Sequence, residues 1–147
     1  MKIRKMNIDD YEKLYDLWLS CKGMGLNSVD DSREGISRFL KRNPNTCFVA
    51  ETEKNHIVGA IMAGSDGRRG YIYHTAVHPD FRKRGIGSEL VQAVTDQLKS
   101  MAIAKAALVV FGSNIRGNAF WEKQGFTERT DLMYRDKVLT EMVKINT

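Results

Sequence analysis

The sequence predicts a single α/β domain over residues 1–147. Its architecture is a mixed, mostly antiparallel central sheet of about seven strands with helices on both faces, in the order β-α-α-β-β-β-α-β-α-β-β. Three observations carry this. Apolar positions switch from helical spacing to strand alternation and back along the chain. Polar turns at Glu53-Lys54-Asn55 and at Gly64–Gly70 join consecutive extended runs as hairpins. A long amphipathic helix links a later run to the strand before it, which is the connection a parallel pair needs.

The elements follow in order. Met1 to Met6 alternates apolar and basic residues, as a half-buried strand does. Asn7 is placed to cap the first helix, with Asp9 and Asp10 at its positive end. Tyr11, Leu14, Leu17, Trp18 and Cys21 then form its apolar face, and Gly23 and Gly25 close it. After an irregular stretch to Val29, Asp30-Asp31-Ser32 opens a second helix with Ile36, Phe39 and Leu40 inward; Asn43-Pro44-Asn45 stops it. Strands are expected at Thr46–Thr52, His56–Ala63 and Tyr71–Val77. Ile86, Leu90, Val91, Val94, Leu98 and Met101 stripe a long helix after Gly85. Ala104–Phe111 reads as a parallel strand and Ile115–Lys123 as a helix ended through Gly125. Two closing strands are expected at about Phe126–Tyr134 and Val138–Ile145.

Composition narrows the class. A chain of 147 residues suits one core. Cys21 and Cys47 make neither a disulfide framework nor a metal site, so no metal is expected. Reduced thiols favour a reducing compartment, and cytoplasm is the expectation. No apolar run has the length of a membrane span, so no membrane partner is expected. The net charge of +5 admits an anionic ligand. Its clustering at Arg82-Lys83-Arg84 says more than its total. That cluster lacks interleaved exposed aromatics, so no nucleic-acid partner is expected.

The informative stretch runs from His74 to Ser88. An apolar strand ends at Pro79, three basic residues and two glycines follow, and a helix opens at once. A helix N-terminus carries unpartnered N–H groups and about half a positive charge, which makes it an anion site. Gly85 and Gly87 let the backbone approach a ligand, and Arg82 and Arg84 are placed to meet phosphate oxygens. A Walker loop is excluded, because Gly85-Ile86-Gly87-Ser88 lacks the lysine. A dinucleotide fold is disfavoured because Val109-Val110-Phe111-Gly112 ends without an acid.

Val77, Pro79, Arg82, Gly85 and Gly87 form V-x-P-x-x-R-x-x-G-x-G. Downstream stands Asn114-x-x-Gly117-Asn118-x-Phe120-Trp121-Glu122-Lys123-x-Gly125-Phe126. With this order and separation, Tyr71–Phe126 resembles the GNAT superfamily of acyl-CoA N-acyltransferases. The resemblance implies that acetyl-CoA is the cosubstrate. Pantetheine would lie in a V-shaped gap beside the first strand of the pair, bonded near Ala76 and Val77. The pyrophosphate would sit on the turn Arg82, Lys83, Arg84, Gly85, Ile86, Gly87 and Ser88, with Asn114 on the pantetheine arm. Where the family often has a tyrosine beside the leaving sulfur, this chain has Trp121, whose indole donates a hydrogen bond but is no practical acid. Gly117 replaces the usual alanine.

The implied reaction moves an acetyl group from acetyl-CoA to a primary amine by direct attack on the thioester. The other reading is a non-catalytic acyl-CoA sensor or scaffold of the same fold. A backbone amide at Val77 is the natural oxyanion donor. His74, Tyr73 and Glu51 are the rival bases. Strict alternation would place Tyr73, Thr75 and Val77 on one face and His74 and Ala76 on the other. His78 reads as a turn residue and His56 as exposed. The partner is an amine-bearing acceptor, small molecule or protein. Edge strands of such a sheet can also pair between subunits as a homodimer.

Overall fold

The computed structural model describes residues 1–145. Its main sheet has five strands: β1 (Lys2–Lys5), β3 (Phe48–Glu51), β4 (Ile57–Ser65), β5 (Gly70–Val77) and β6 (Ala106–Ala107), side by side in that order. All neighbours are antiparallel except β5 and β6. Helices α1 (Tyr11–Leu19) and α2 (Arg33–Arg42) cover one face, and α3 (Ile86–Ser100) and α4 (Ile115–Lys123) cover the other. A separate two-stranded sheet joins β2 (Leu26–Asn27) to β7 (Lys144–Ile145).

Two apolar layers hold the sheet. On the α1–α2 side, Leu14 and Trp18 are fully buried against Ile36, Val49 and Ala60. On the α3–α4 side, Leu90 and Val94 pack on Ala50, Ile61 and Ile72. Each buried side chain of this size contributes about 2 kcal/mol. Strand β4 lies between the layers and is buried along nearly its whole length. Gly70 begins β5 as a glycine for a packing reason: a Cβ there would come within 2.7 Å of Leu98 Cδ1. No helix among the described residues is long and apolar enough to cross a membrane.

The helix-start signals operate as read, whereas α1 ends at Leu19, before Cys21, Gly23 and Gly25. Asn7 and Asp10 form a reciprocal capping box, though it caps a short 3₁₀ turn, Ile8–Asp10, that runs into α1. Ser32 caps α2 through its hydroxyl, and Gly125, at φ +90°, follows α4. The strand expectations after α3 need correction. The run Ala104–Phe111 pairs only at Ala106–Ala107. The closing runs keep one short strand, Lys144–Ile145, and it joins β2 rather than the main sheet. The sheets therefore divide five and two, and β2 falls between α1 and α2. Strand propensity reports a fit to a half-buried pleat, not the presence of a partner edge. Within Phe126–Tyr134, Arg129 and Asp131 instead close a local two-bond ion pair.

Candidate functional site

Strand β5 places the site. It pairs with β6 only at Gly70↔Ala106 and Tyr71↔Ala107. Beyond Tyr71 the two chains part, leaving Ile72–Val77 without a ladder partner on that side among the described residues. On its other side, His78 donates its N–H to the Val58 carbonyl at 2.8 Å. Main-chain groups alternate in direction along an antiparallel strand, so the Val77 N–H and C=O face the open edge. Arg82 Nε donates to that carbonyl at 3.0 Å, and the Cys21 thiol lies 3.6 Å from it.

The strand carries a bulge. Ala60 pairs with Ala76, but Met62 pairs with Tyr73, so His74 and Thr75 together oppose Ile61. His74 takes a left-handed backbone, φ +37°. A non-glycine residue held there costs on the order of 1–3 kcal/mol. Simple alternation is therefore broken. Tyr73 packs on Phe39 and His74 on Trp18, both on the α1–α2 side, where Ala76 also lies. Val77 packs on the α3 side. The extra residue turns Tyr73 and His74 to one face.

Beyond Val77, His78 accepts the Asp80 N–H on Nδ1 and caps a 3₁₀ turn, Pro79–Phe81, a turn residue as expected. His56 is exposed at the end of the turn before β4. Lys83 (φ +63°) and Gly85 (φ +81°) are both left-handed. Alternating hand in a short turn directs successive amides into one concavity. Gly85 then begins α3 with no side-chain cap, and a Cβ on it would meet nothing within 4 Å. The first amides of α3, at Ile86, Gly87 and Ser88, precede the first intrahelical bond, Glu89 N–H to the Gly85 carbonyl, and so have no partner within the helix. Arg84 lies over the Phe81 ring at 4.9 Å and reaches the Asp80 carbonyl. Gly87 is a glycine for packing: its Cβ would lie 3.0 Å from the Phe120 ring. Ser88 accepts a hydrogen bond from Gln124 at the end of α4.

The other wall is α4. Asn114 Oδ1 caps it by accepting the Gly117 N–H at 2.8 Å. A Cβ at Gly117 would fall 2.4 Å from Asn114 Nδ2, so the glycine is what this capping rotamer requires. Asn118 donates to the carbonyls of Phe111 and Asn114 and holds the preceding turn. Trp121 is buried, edge-on to Phe120 at 5.0 Å and to Phe126 at 5.1 Å. Its place is in the core between α3 and α4.

The three rival bases separate. Glu51 lies on β3, with β4 between it and β5. Arg4 donates to both its oxygens and holds its carboxyl below the usual range. Tyr73 is half exposed, and burial raises its phenol above the ordinary value, with Tyr134 and Asp30 adding to the rise. A phenol held that high does not take a proton near neutral pH. His74 borders the open edge, with its Nε2 2.6 Å from Asp31 Oδ1. In sequence Asp31 stands at a helix start and ends the loop Gly23–Asp31, a stretch expected on the acceptor side, but nothing in the sequence links it to His74. The bulge that brings His74 to it leaves no mark in strand periodicity.

The chain is similar to known proteins in sequence and in fold. The family model described as the acetyltransferase (GNAT) family matches residues 11–126. A protein named acetyltransferase from Sodalis glossinidius is 34% identical over 141 residues, spanning 96% of this chain and 97% of its own. Ard1 of Thermoplasma volcanium is similar in structure, with a TM-score of 0.76 at 22% identity, over 86% of this chain and 82% of that one. The PaiA N-acetyltransferase of Thermoplasma acidophilum, solved with coenzyme A, gives a TM-score of 0.76 at 23% identity, over 88% and 92%. The two structures bear on the fold; the family match and the sequence relative bear on descent, and on these the chain belongs to the acetyltransferase (GNAT) family.

Proposed function

We propose that this single domain transfers the acetyl group of acetyl-CoA to a primary amine by direct attack on the thioester. One observation carries the reading: a strand edge, Ile72–Val77, with no ladder partner among the described residues runs into a helix start with no side-chain cap, flanked by Arg82, Lys83 and Arg84. A ligand with two amides at one end and a pyrophosphate at the other matches both parts. Its pantetheine amides replace the missing ladder beside Ala76 and Val77, as an added strand would. Its pyrophosphate meets the amides of Gly85 to Ser88. Asn114 takes part through α4, whose start it fixes beside the gap.

The chemistry follows from the same edge. The Val77 N–H faces the gap and is the donor for the oxyanion formed when the amine adds to the carbonyl. His74 is the base on that strand. Trp121 supplies no proton, and a coenzyme A thiolate leaves without one. Buried, unpaired Cys21 and Cys47 suit a reducing cytoplasm.

The test is a thiol-release assay with acetyl-CoA and a panel of polyamines, amino acids, aminoglycosides and peptides with free N-termini. Turnover with one class and none with oligonucleotides present alone is the expected result. Thermal stabilisation by acetyl-CoA without thiol release from any amine would instead support the sensor reading, which the buried, non-acidic Trp121 favours.

A further inference from the structure

We propose that Asp31 is the positioning residue of a base dyad. It holds the His74 imidazole with Nε2–H toward its own carboxylate, which leaves Nδ1 as the atom that takes the proton from the acceptor amine. The inference rests on the acetyl-transfer reading above.

The carboxylate is well placed for this. Asp31 is 3% exposed, and both its oxygens are engaged. Oδ1 lies 2.6 Å from His74 Nε2, and Oδ2 accepts the Asn27 N–H at 2.8 Å. An ionised carboxylate only accepts, so Nε2 carries the hydrogen and a neutral ring has its lone pair on Nδ1. The His74 side chain is 14% exposed against 3% for Asp31, so the histidine is the more accessible member of the pair.

The support behind Asp31 is rigid. Its carbonyl accepts the Tyr11 hydroxyl at 2.6 Å. Asn27 Oδ1 accepts the amides of Val29 and Asp30, which closes the loop. Ser32, the next residue, caps α2. The His74 ring also meets Trp18 edge-on at 5.1 Å. A strained backbone and a buried carboxylate thus fix one imidazole on the α1–α2 face of β5, an arrangement found where geometry serves chemistry.

In the step, a neutral amine attacks the acetyl carbon and the C–N bond forms. The nitrogen's proton passes to His74 Nδ1. The carbonyl re-forms as the C–S bond breaks, and the thiolate takes the imidazolium proton, directly or relayed by a water. Acetyl-CoA and amine become acetamide and coenzyme A, with His74 restored.

The test is a double-mutant cycle of His74→Gln and Asp31→Asn, read as kcat with an active amine, acetyl-CoA Kd and thermal midpoint. Each single change is expected to lower kcat by on the order of 100-fold without altering acetyl-CoA Kd. The double change should be no slower than His74→Gln alone. An unchanged kcat in Asp31→Asn overturns the proposal. So does an Asp31→Asn loss that persists in full in the His74→Gln background, which marks a purely structural role. Nitrogen-15 NMR of the wild-type protein provides a readout that needs no variant to fold and no turnover. An Nε2–H tautomer with a slowly exchanging proton supports the dyad, and an Nδ1–H tautomer overturns it. Absence of turnover with every amine would strike the acetyl-transfer reading instead, and the tautomer would still decide whether the dyad exists.

Discussion

Arg82 donates its Nε–H to the carbonyl of Val77 at 3.0 Å, tying the glycine turn to the last residue of β5. The same side chain lies 3.7 Å from Cys21 Sγ. Removing it releases the strand end as well as a positive charge. Arg82→Ala is therefore expected to weaken coenzyme A binding by about tenfold or more, a charge-assisted contact being worth roughly 1.5–3 kcal/mol. Arg82→Lys should recover little, because an ammonium lacks the guanidinium fork. Titration calorimetry with coenzyme A measures both. Arg84→Ala, whose side chain stacks on Phe81 and lies at the exposed rim, should cost less.

Gly87 sets two opposed effects against each other. Replacing a helical glycine with alanine gains about 1 kcal/mol in propensity. The new Cβ, however, would lie 3.0 Å from the Phe120 ring, itself wedged against Trp121. Overpacking of this kind costs about 1–3 kcal/mol, so the expected net result of Gly87→Ala is a lower thermal midpoint. Phe120→Leu in the same chain should restore part of it. Gly85→Ala behaves differently, because space is open there and the penalty is the left-handed backbone alone. Its midpoint should fall modestly and coenzyme A binding more clearly.

Trp121 separates packing from proton donation. It is buried among Phe120 and Phe126. Trp121→Phe should lower stability by about 1 kcal/mol or more through lost volume, yet leave kcat and its pH profile unchanged. Trp121→Ala should destabilise by about 3–5 kcal/mol. Chemical denaturation and the thiol-release assay, run on the same preparations, make the comparison.

The N-terminal ion cluster predicts an acid dependence of stability. Burial by itself lifts the Asp10 carboxyl, but the Arg4 guanidinium and the Asn7 amide pull it below the ordinary carboxylate range. A depressed carboxyl stabilises the fold fully above its unfolded value, about 3.9. That contribution disappears as pH falls through the lower folded value. Urea midpoints should therefore decline below about pH 4. Asp10→Asn should be less stable at pH 7 and show a shallower acid limb.

Much of this was legible in the chain because it rests on local chemistry. Asn7, Ser32, Asn114 and Gly125 mark helix ends by short-range rules, and α3 and α4 begin where the sequence indicates. The turn from Arg82 to Ser88 was equally readable. What was hidden depends on partners distant in sequence. The bulge at His74 is set by register against Met62, and no alternation of side chains encodes it. Asp31 read as a helix-start residue, and only folding brings it to His74, 43 positions away. The closing runs carry strand-like composition, but a ladder requires a neighbouring edge, and only Lys144–Ile145 finds one.

That last pairing reaches further than its length suggests. Val143 receives the Ser28 N–H on its carbonyl and gives its own N–H to the Ser28 hydroxyl, and Lys144–Ile145 lies along Leu26–Asn27. The loop so clasped is the one that supplies Asp31. Changes that peel residues 143–145 away from Leu26–Ser28 would therefore act at a distance on the histidine of β5, although none of those residues touches it.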